Sequence, residues 1–190
     1  MKFLKYILAI ISILVVVFFL MGLFKPQLSY ECEIWVEKPL AESWAVSQDD
    51  EKMPEWIIGF QKMEPILGVS GTVGAVSDIY IISNGEEMII RETITEIVPN
   101  ESITMHFTSD FMDMDYKFSI RVIDGKTKIS TQTTAVGKGL ISKSIIALLG
   151  NSIKAQEQTN LSYLKKTIEQ NTKNYFYMND AIIKIDQNSE

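Results

Sequence analysis

The segment DIYIISNGEEMIIR, residues 78–91, decides the fold. Asn84-Gly85 is the preferred residue pair of a two-residue type I′ turn, so it predicts a hairpin whose register is set by the turn. That register pairs Ile81 with Met88, Ile79 with Ile90, and Asp78 with Arg91. Two of these pairs are apolar and the third joins opposite charges, and both kinds stabilise neighbouring antiparallel strands. Turn chemistry, apolar matching and charge matching therefore predict the same pair of strands.

Further strands are predicted on both sides of this hairpin. Asp124-Gly125 predicts a second tight hairpin, which pairs Ile120 with Ile129 and Phe118 with Thr131. Residues 29–37, 60–67 and 103–108 also have strand character, and Pro65 predicts an edge or a bulge for the middle one. Because hairpin follows hairpin, the sheet is expected to be antiparallel.

One long helix is predicted after the last strand, from about residue 138 to residue 172. Apolar residues recur there at helical spacing: Ile141, Ile145, Leu148, Leu149, Ile153, Leu161, Leu164 and Ile168. We therefore expect an α+β domain at residues 27–172, in which an antiparallel curved sheet wraps around this helix and leaves a cavity between the two. Residues 173–190 form a polar tail, in which residues 181–185 could pack locally.

The N-terminus predicts a membrane anchor at residues 1–26. Residues 7–24 carry no charge, and a helix of this length reaches roughly 27 Å, close to the hydrocarbon thickness of a bilayer. Lys2 and Lys5 precede it, so the positive-inside rule predicts a single-pass protein of the cell membrane, with a cytoplasmic N-terminus and the domain on the outer side. A cleaved signal peptide and a buried core helix are the alternatives, although residues 21–25 lack a small-x-small cleavage site.

Composition excludes several classes of function. The net charge of −6 argues against nucleic acid, which requires a basic face. Cys32 is the single cysteine and His106 the single histidine, so an intramolecular disulfide is excluded and no metal-ligand spacing is present. Strand alternation places His106 on the outer face, opposite Met105 and Phe107. We therefore expect neither a metal nor a cofactor.

Several short motifs carry a resemblance to a known family. They are Val36-Glu37-Lys38-Pro39 leading to Trp44, Pro54-Glu55-Trp56, the loop at residues 68–74, Arg91-Glu92-Thr93-Ile94 before Pro99, and the closing Leu164-Lys165-Lys166-Thr167-Ile168-Glu169. Over residues 29–171 the chain resembles the helix-grip (START or Bet v 1-like) superfamily, and within it the bacterial SRPBCC group, called polyketide cyclase/dehydrase-like. The resemblance implies an apolar ligand, such as a lipid, sterol or polyketide, between sheet and helix.

Glu92 is the main candidate for a polar role in such a pocket. Strand parity turns it inward with Ile90 and Ile94, opposite Ser77, and a carboxylate among apolar neighbours is expected to have a raised pKa. It could orient a ligand or act as a general acid or base; a bulge that turns it outward and a structural carboxylate are the alternatives. The predicted pocket residues are Trp56, Ile79, Ile81, Ile90, Glu92, Ile94, Met105, Phe107, Tyr116, Phe118, Ile145 and Leu149.

The sequence predicts a membrane-anchored binding protein for a hydrophobic small molecule or lipid, without enzymatic activity. Two alternatives stay open. One is a cyclase, dehydratase or hydrolase of the same fold that uses Glu92 or Tyr116 as acid or base. The other is an envelope interaction module whose interior is filled by side chains. The sequence assigns no oligomeric state.

Overall fold

The computed structural model describes residues 2–83 and 85–176, so the predicted local packing of residues 181–185 lies outside the described residues. The helices are α1 (Lys2–Phe24), α2 (Leu40–Ser47), α3 (Met53–Trp56) and α4 (Gly139–Glu169), with a short 3-10 helix at Asp50–Lys52. The strands are β1 (Gln27–Val36), β2 (Phe60–Leu67), β3 (Val76–Ser83), β4 (Glu86–Val98), β5 (Ser102–Thr108), β6 (Met112–Ile123) and β7 (Lys126–Gly137).

All seven strands form one antiparallel curved sheet in the order β1-β7-β6-β5-β4-β3-β2. The register between β3 and β4 pairs Ile79 with Ile90 and Asp78 with Arg91, which confirms the hairpin predicted from the sequence. Arg91 Nε and Nη2 donate to the two Asp78 carboxylate oxygens at 2.8 and 2.9 Å. Strand β2 lies at one edge and its register shifts between Pro65 and Leu67, as predicted from the proline.

The hydrophobic core lies between the sheet and the second half of α4. Leu161, Leu164 and Ile168 of α4 are at most 1% exposed and pack with Ile120 and Ile129 of the sheet. Full burial of each such side chain contributes about 1.5–3 kcal/mol to folding. This contact fixes α4 across the sheet, which confirms the predicted sheet-and-helix architecture.

The first half of α4 is oriented differently from the prediction. Ile146 and the small residue Gly150 are buried, whereas Leu149 is 45% exposed and Ile145 is only partly buried. A Cβ on Gly150 would lie 2.8 Å from Leu28 Cδ1, so glycine is what allows α4 to approach β1 closely. Gly150 therefore lies against the sheet here, and Leu149, which was expected to face the cavity, points away from it.

Four apolar side chains form an outward stripe on this half of α4, which we call the outer stripe: Ile141, Ile145, Leu148 and Leu149. Ile141 is 62% exposed and Leu148 is 57% exposed. The stripe is unusual on a helix of a globular domain, where the face away from the core is normally polar.

Helix α1 is long and apolar enough to cross a membrane. Its mean hydropathy is 3.1, and only 6% of this apolar stretch is buried against the rest of the described chain. Its last turns contact α4, where a Cβ on Gly22 would lie only 2.6 Å from Ser144 N. Gly22 thus permits the close approach of the two helices.

Candidate functional site

A cavity of about 410 Å³ lies between the sheet, the α2–α3 segment and α4. Of the residues predicted from the sequence, it is lined by Trp56, Ile79, Ile81, Ile90, Glu92, Ile94, Met105, Phe107, Tyr116 and Phe118. Ile145 and Leu149 do not line it, because both belong to the outer stripe of α4. The α4 side of the cavity is instead formed by Glu157 and Asn160.

Most of the wall is aliphatic, aromatic or thioether surface. The ring centroids of Phe107 and Tyr116 are 5.9 Å apart in an edge-to-face arrangement, and those of Trp44 and Phe118 are 6.3 Å apart. Methionine side chains from four separate elements complete the wall: Met53, Met63, Met105 and Met114. Flexible thioether side chains adapt to ligands of different shape, so the wall can accommodate apolar molecules without selecting a single shape.

Glu92 extends from the middle of β4 into this wall. It lies between Ser77 of β3 and Phe107 of β5 in the ladder and is 8% exposed. Among the residues that the structure describes, no donor forms a hydrogen bond with its carboxylate oxygens. Burial, and to a smaller extent the charge of Asp50, raise the pKa of Glu92 from 4.5 to about 7.

Asp50 brings a second carboxylate to the same wall from the 3-10 helix. Its Oδ2 accepts a hydrogen bond of 3.1 Å from the Ser70 hydroxyl, which lies in the loop between β2 and β3. Asp50 remains exposed to solvent on one side; the part of it that is shielded from water raises its pKa, and the neighbouring Asp49 adds to that rise. Asp50 was not predicted as a site residue, because no local sequence pattern shows that the 3-10 helix lies beside β4.

Glu157 of α4 and Tyr116 of β6 form a polar pair elsewhere in the wall. The Tyr116 hydroxyl donates to Glu157 Oε1 at 2.9 Å, which gives this buried hydroxyl the partner that it requires. Burial raises the pKa of Tyr116, helped by the charge of Glu157, and burial also raises the pKa of Glu157. The middle of α4, which is polar in sequence, carries Glu157 into the cavity.

The single histidine lies outside this cavity. His106 lies on the outer face of β5, with its Nδ1 2.8 Å from Asp115 Oδ1. Within residues 2–83 and 85–176, no group of three or more His, Cys, Asp or Glu side chains is arranged to hold a metal ion. The site is therefore an apolar cavity with three carboxylates in its wall, a composition that can accommodate an apolar molecule and present a carboxyl group to it.

No protein-family model and no curated protein matches this sequence. Solved structures do match the fold. The crystal structure of Ara h 8.0201 is 19% identical with a TM-score of 0.61, and the match covers 76% of this chain and 99% of that chain. For the Zhui aromatase/cyclase from Streptomyces sp. R1128 the identity is 13%, the TM-score 0.65, and the coverage 77% and 96%. At such identities the likeness shows the fold alone, and the chain from β1 to α4 therefore has the helix-grip fold.

Proposed function

We propose that this protein binds an apolar small molecule or lipid in the cavity between sheet and helix while α1 tethers it to a membrane. The observation that carries the proposal is the cavity itself: about 410 Å³ of space with a mainly apolar wall and a few polar groups. Small-molecule sites typically have about 300–1,000 Å³ and this same composition. An interaction module with a solid core would leave no such space.

The membrane tether is supported by two separate apolar surfaces. Helix α1 is only 6% buried, although its mean hydropathy is 3.1. Three residues of the outer stripe are also exposed: Ile141, Leu148 and Leu149. The stripe belongs to the half of α4 that contacts α1 at Gly22 and Ser144. A lipid bilayer that surrounds α1 would cover the stripe as well, which removes the cost of exposing it to water. Lys2 and Lys5 at the start of α1 favour a cytoplasmic N-terminus.

An enzymatic function is the second candidate, and Glu92 is the observation that favours it. A carboxyl group with a pKa of about 7 that faces a cavity can both accept and release a proton near neutral pH. One solved structure of the same fold is described as an aromatase/cyclase. A cyclase or dehydratase would lose turnover in Glu92→Gln, whereas a binding protein has no turnover to lose.

The test of binding is native mass spectrometry, with organic extraction, of the full-length protein in lipid nanodiscs from its own host. The variant Ile81→Trp/Ile90→Trp fills the cavity, and Ile82→Trp/Ile89→Trp places the same rings on the outer face of the same strands. We expect a ligand in the wild type and the outer-face variant and its loss from the filled variant. Identical extracts from all three proteins would overturn the proposal.

A further inference from the structure

The charges in the cavity wall are all of one sign. Three carboxylates come from three different elements: Asp50 from the 3-10 helix, Glu92 from β4 and Glu157 from α4. Among the lining residues that the structure describes, there is no lysine, arginine or histidine. A ligand in this cavity therefore meets three carboxylates and no cation of the protein. The buried Trp56 Nε1, which has no hydrogen-bond partner among the described residues, is a neutral donor in the same wall.

The three carboxylates differ in whether their oxygens accept a hydrogen bond from another residue. Glu157 receives the Tyr116 hydroxyl at 2.9 Å and Asp50 receives the Ser70 hydroxyl at 3.1 Å. Glu92 is 8% exposed, lies in the cavity wall and has no hydrogen-bond donor among the described residues. A buried carboxylate without a partner is costly in its charged form, so an incoming donor at this place gains the interaction that the fold does not supply.

We propose that the natural ligand is an apolar molecule that carries a protonated amine, with the ammonium group at Glu92 and the apolar part along the wall. An ammonium group offers three hydrogen-bond donors and a positive charge. These match the unpartnered carboxylate of Glu92 and the negative charge of Asp50, which lies close enough to raise the pKa of Glu92. The apolar part then lies against Ile79 and Ile94 beside Glu92. A fatty acid would add a fourth negative group to the same space. This inference rests on the proposed function, since it names the class of ligand for that cavity.

Opposite pH dependences separate the amine from an acid. The amine requires ionised Glu92, and an alkylamine stays protonated between pH 6 and 8, so its affinity rises as the pH passes through the pKa of Glu92. A carboxylate ligand requires protonated Glu92, so its affinity falls over the same range. Asp50 and Glu157 act in the same direction, because burial raises the pKa of both, and Tyr116 stays neutral since its pKa is raised well above 10.0.

The experiment is equilibrium dialysis of decylamine, decanol and decanoate against full-length protein in zwitterionic nanodiscs, with empty nanodiscs subtracted. We expect decylamine to bind more tightly than decanoate by roughly tenfold or more at pH 8, since a charge-assisted pair at a buried site is worth at least that factor. Its affinity should rise from pH 6 to pH 8. Glu92→Gln should remove most of this preference and leave decanol binding within about twofold, whereas Glu87→Gln, an exposed carboxylate on β4, should change nothing.

The outcomes separate this inference from the proposed function. Equal binding of the three probes, a preference for decanoate, or an amine affinity unchanged by both pH and Glu92→Gln would overturn the amine ligand, while binding itself would still support an apolar site. No binding of any probe above empty nanodiscs would overturn the site together with its ligand class. The pH series uses only the wild type, so it tests the amine ligand even if the Glu92→Gln variant fails to fold.

Discussion

The replacement of Glu92 by glutamine should make the protein more stable at neutral and alkaline pH. Glu92 is 8% exposed, and burial together with Asp50 raises its pKa from 4.5 to about 7. The native state therefore keeps a proton on Glu92 that the unfolded chain releases near pH 4.5. Glutamine has nearly the same shape as a protonated glutamic acid and never ionises. The substitution therefore removes the dependence of stability on proton binding at this position and leaves the side-chain volume unchanged.

The size and sign of the effect follow from the two pKa values. Below pH 4.5 Glu92 is protonated in both states, and wild type and Glu92→Gln should be about equally stable. Between pH 4.5 and 7 the native state binds more protons than the unfolded state, so the free energy of unfolding of the wild type falls as the pH rises. At about 1.4 kcal/mol per pH unit the loss totals about 3 kcal/mol, and it is complete above pH 7. Water screens little of it, because the side chain is buried.

Urea unfolding of the full-length protein in a mild detergent, followed by tryptophan fluorescence at pH 4.5, 6, 7 and 8, measures this difference. Most other titrating groups, Asp50 and Glu157 among them, are present in both proteins and largely cancel when one curve is subtracted from the other. Glu87→Gln, on the exposed part of β4, is the matched control and should follow the wild type at every pH. A stability difference between Glu92→Gln and wild type that stays constant from pH 4.5 to 8 would refute the conclusion that Glu92 is desolvated.

The other predictions concern the second polar pair, the helix contact and the outer stripe. Tyr116→Phe leaves buried Glu157 without its donor, so urea unfolding should show a loss of about 1–3 kcal/mol, and an unchanged midpoint would contradict the pairing. Gly22→Ala places a Cβ against the backbone of α4 and should speed amide hydrogen exchange in residues 140–150, whereas unchanged exchange would speak against the close packing. Leu148→Trp should be quenched by brominated lipid in nanodiscs and Ser162→Trp, at an exposed position in the second half of α4, should not; equal quenching would argue against a bilayer along the stripe.

The sheet could be predicted from the sequence because its determinants are local. A two-residue turn fixes the register of a hairpin, and strand parity then fixes which side chains face inward. Both hairpins with such turns have the predicted pairs, Ile79 with Ile90 and Ile120 with Ile129. The inward direction of Glu92 follows from the same parity, which is why the sequence alone was sufficient to predict this carboxylate.

The cavity wall contributed by the helices could not be predicted in the same way. Asp50 and Glu157 reach the cavity only through contacts between elements distant in the sequence, and no periodic pattern records such contacts. Ile145 and Leu149 were assigned to the cavity because large apolar residues are normally the buried ones. Here the buried face of the first half of α4 includes Gly150, whose missing side chain lets β1 approach.

The outer stripe of α4 has a physical connection to the proposed ligand. Ser144, beside α1, and Glu157, in the cavity wall, are on one rigid helix, and their separation in the sequence corresponds to about 20 Å along its axis. An apolar amine partitions into bilayers because of its chain, so a protein held at the bilayer meets it at a higher local concentration than a protein in bulk water. Under the two proposals, the apolar half of α4 keeps the domain at the source of the ligand, and the polar middle of the same helix supplies one of the acidic groups that select it. A domain freed from α1 should therefore retain the preference for amine over carboxylate at the cavity but require more ligand in solution to fill it.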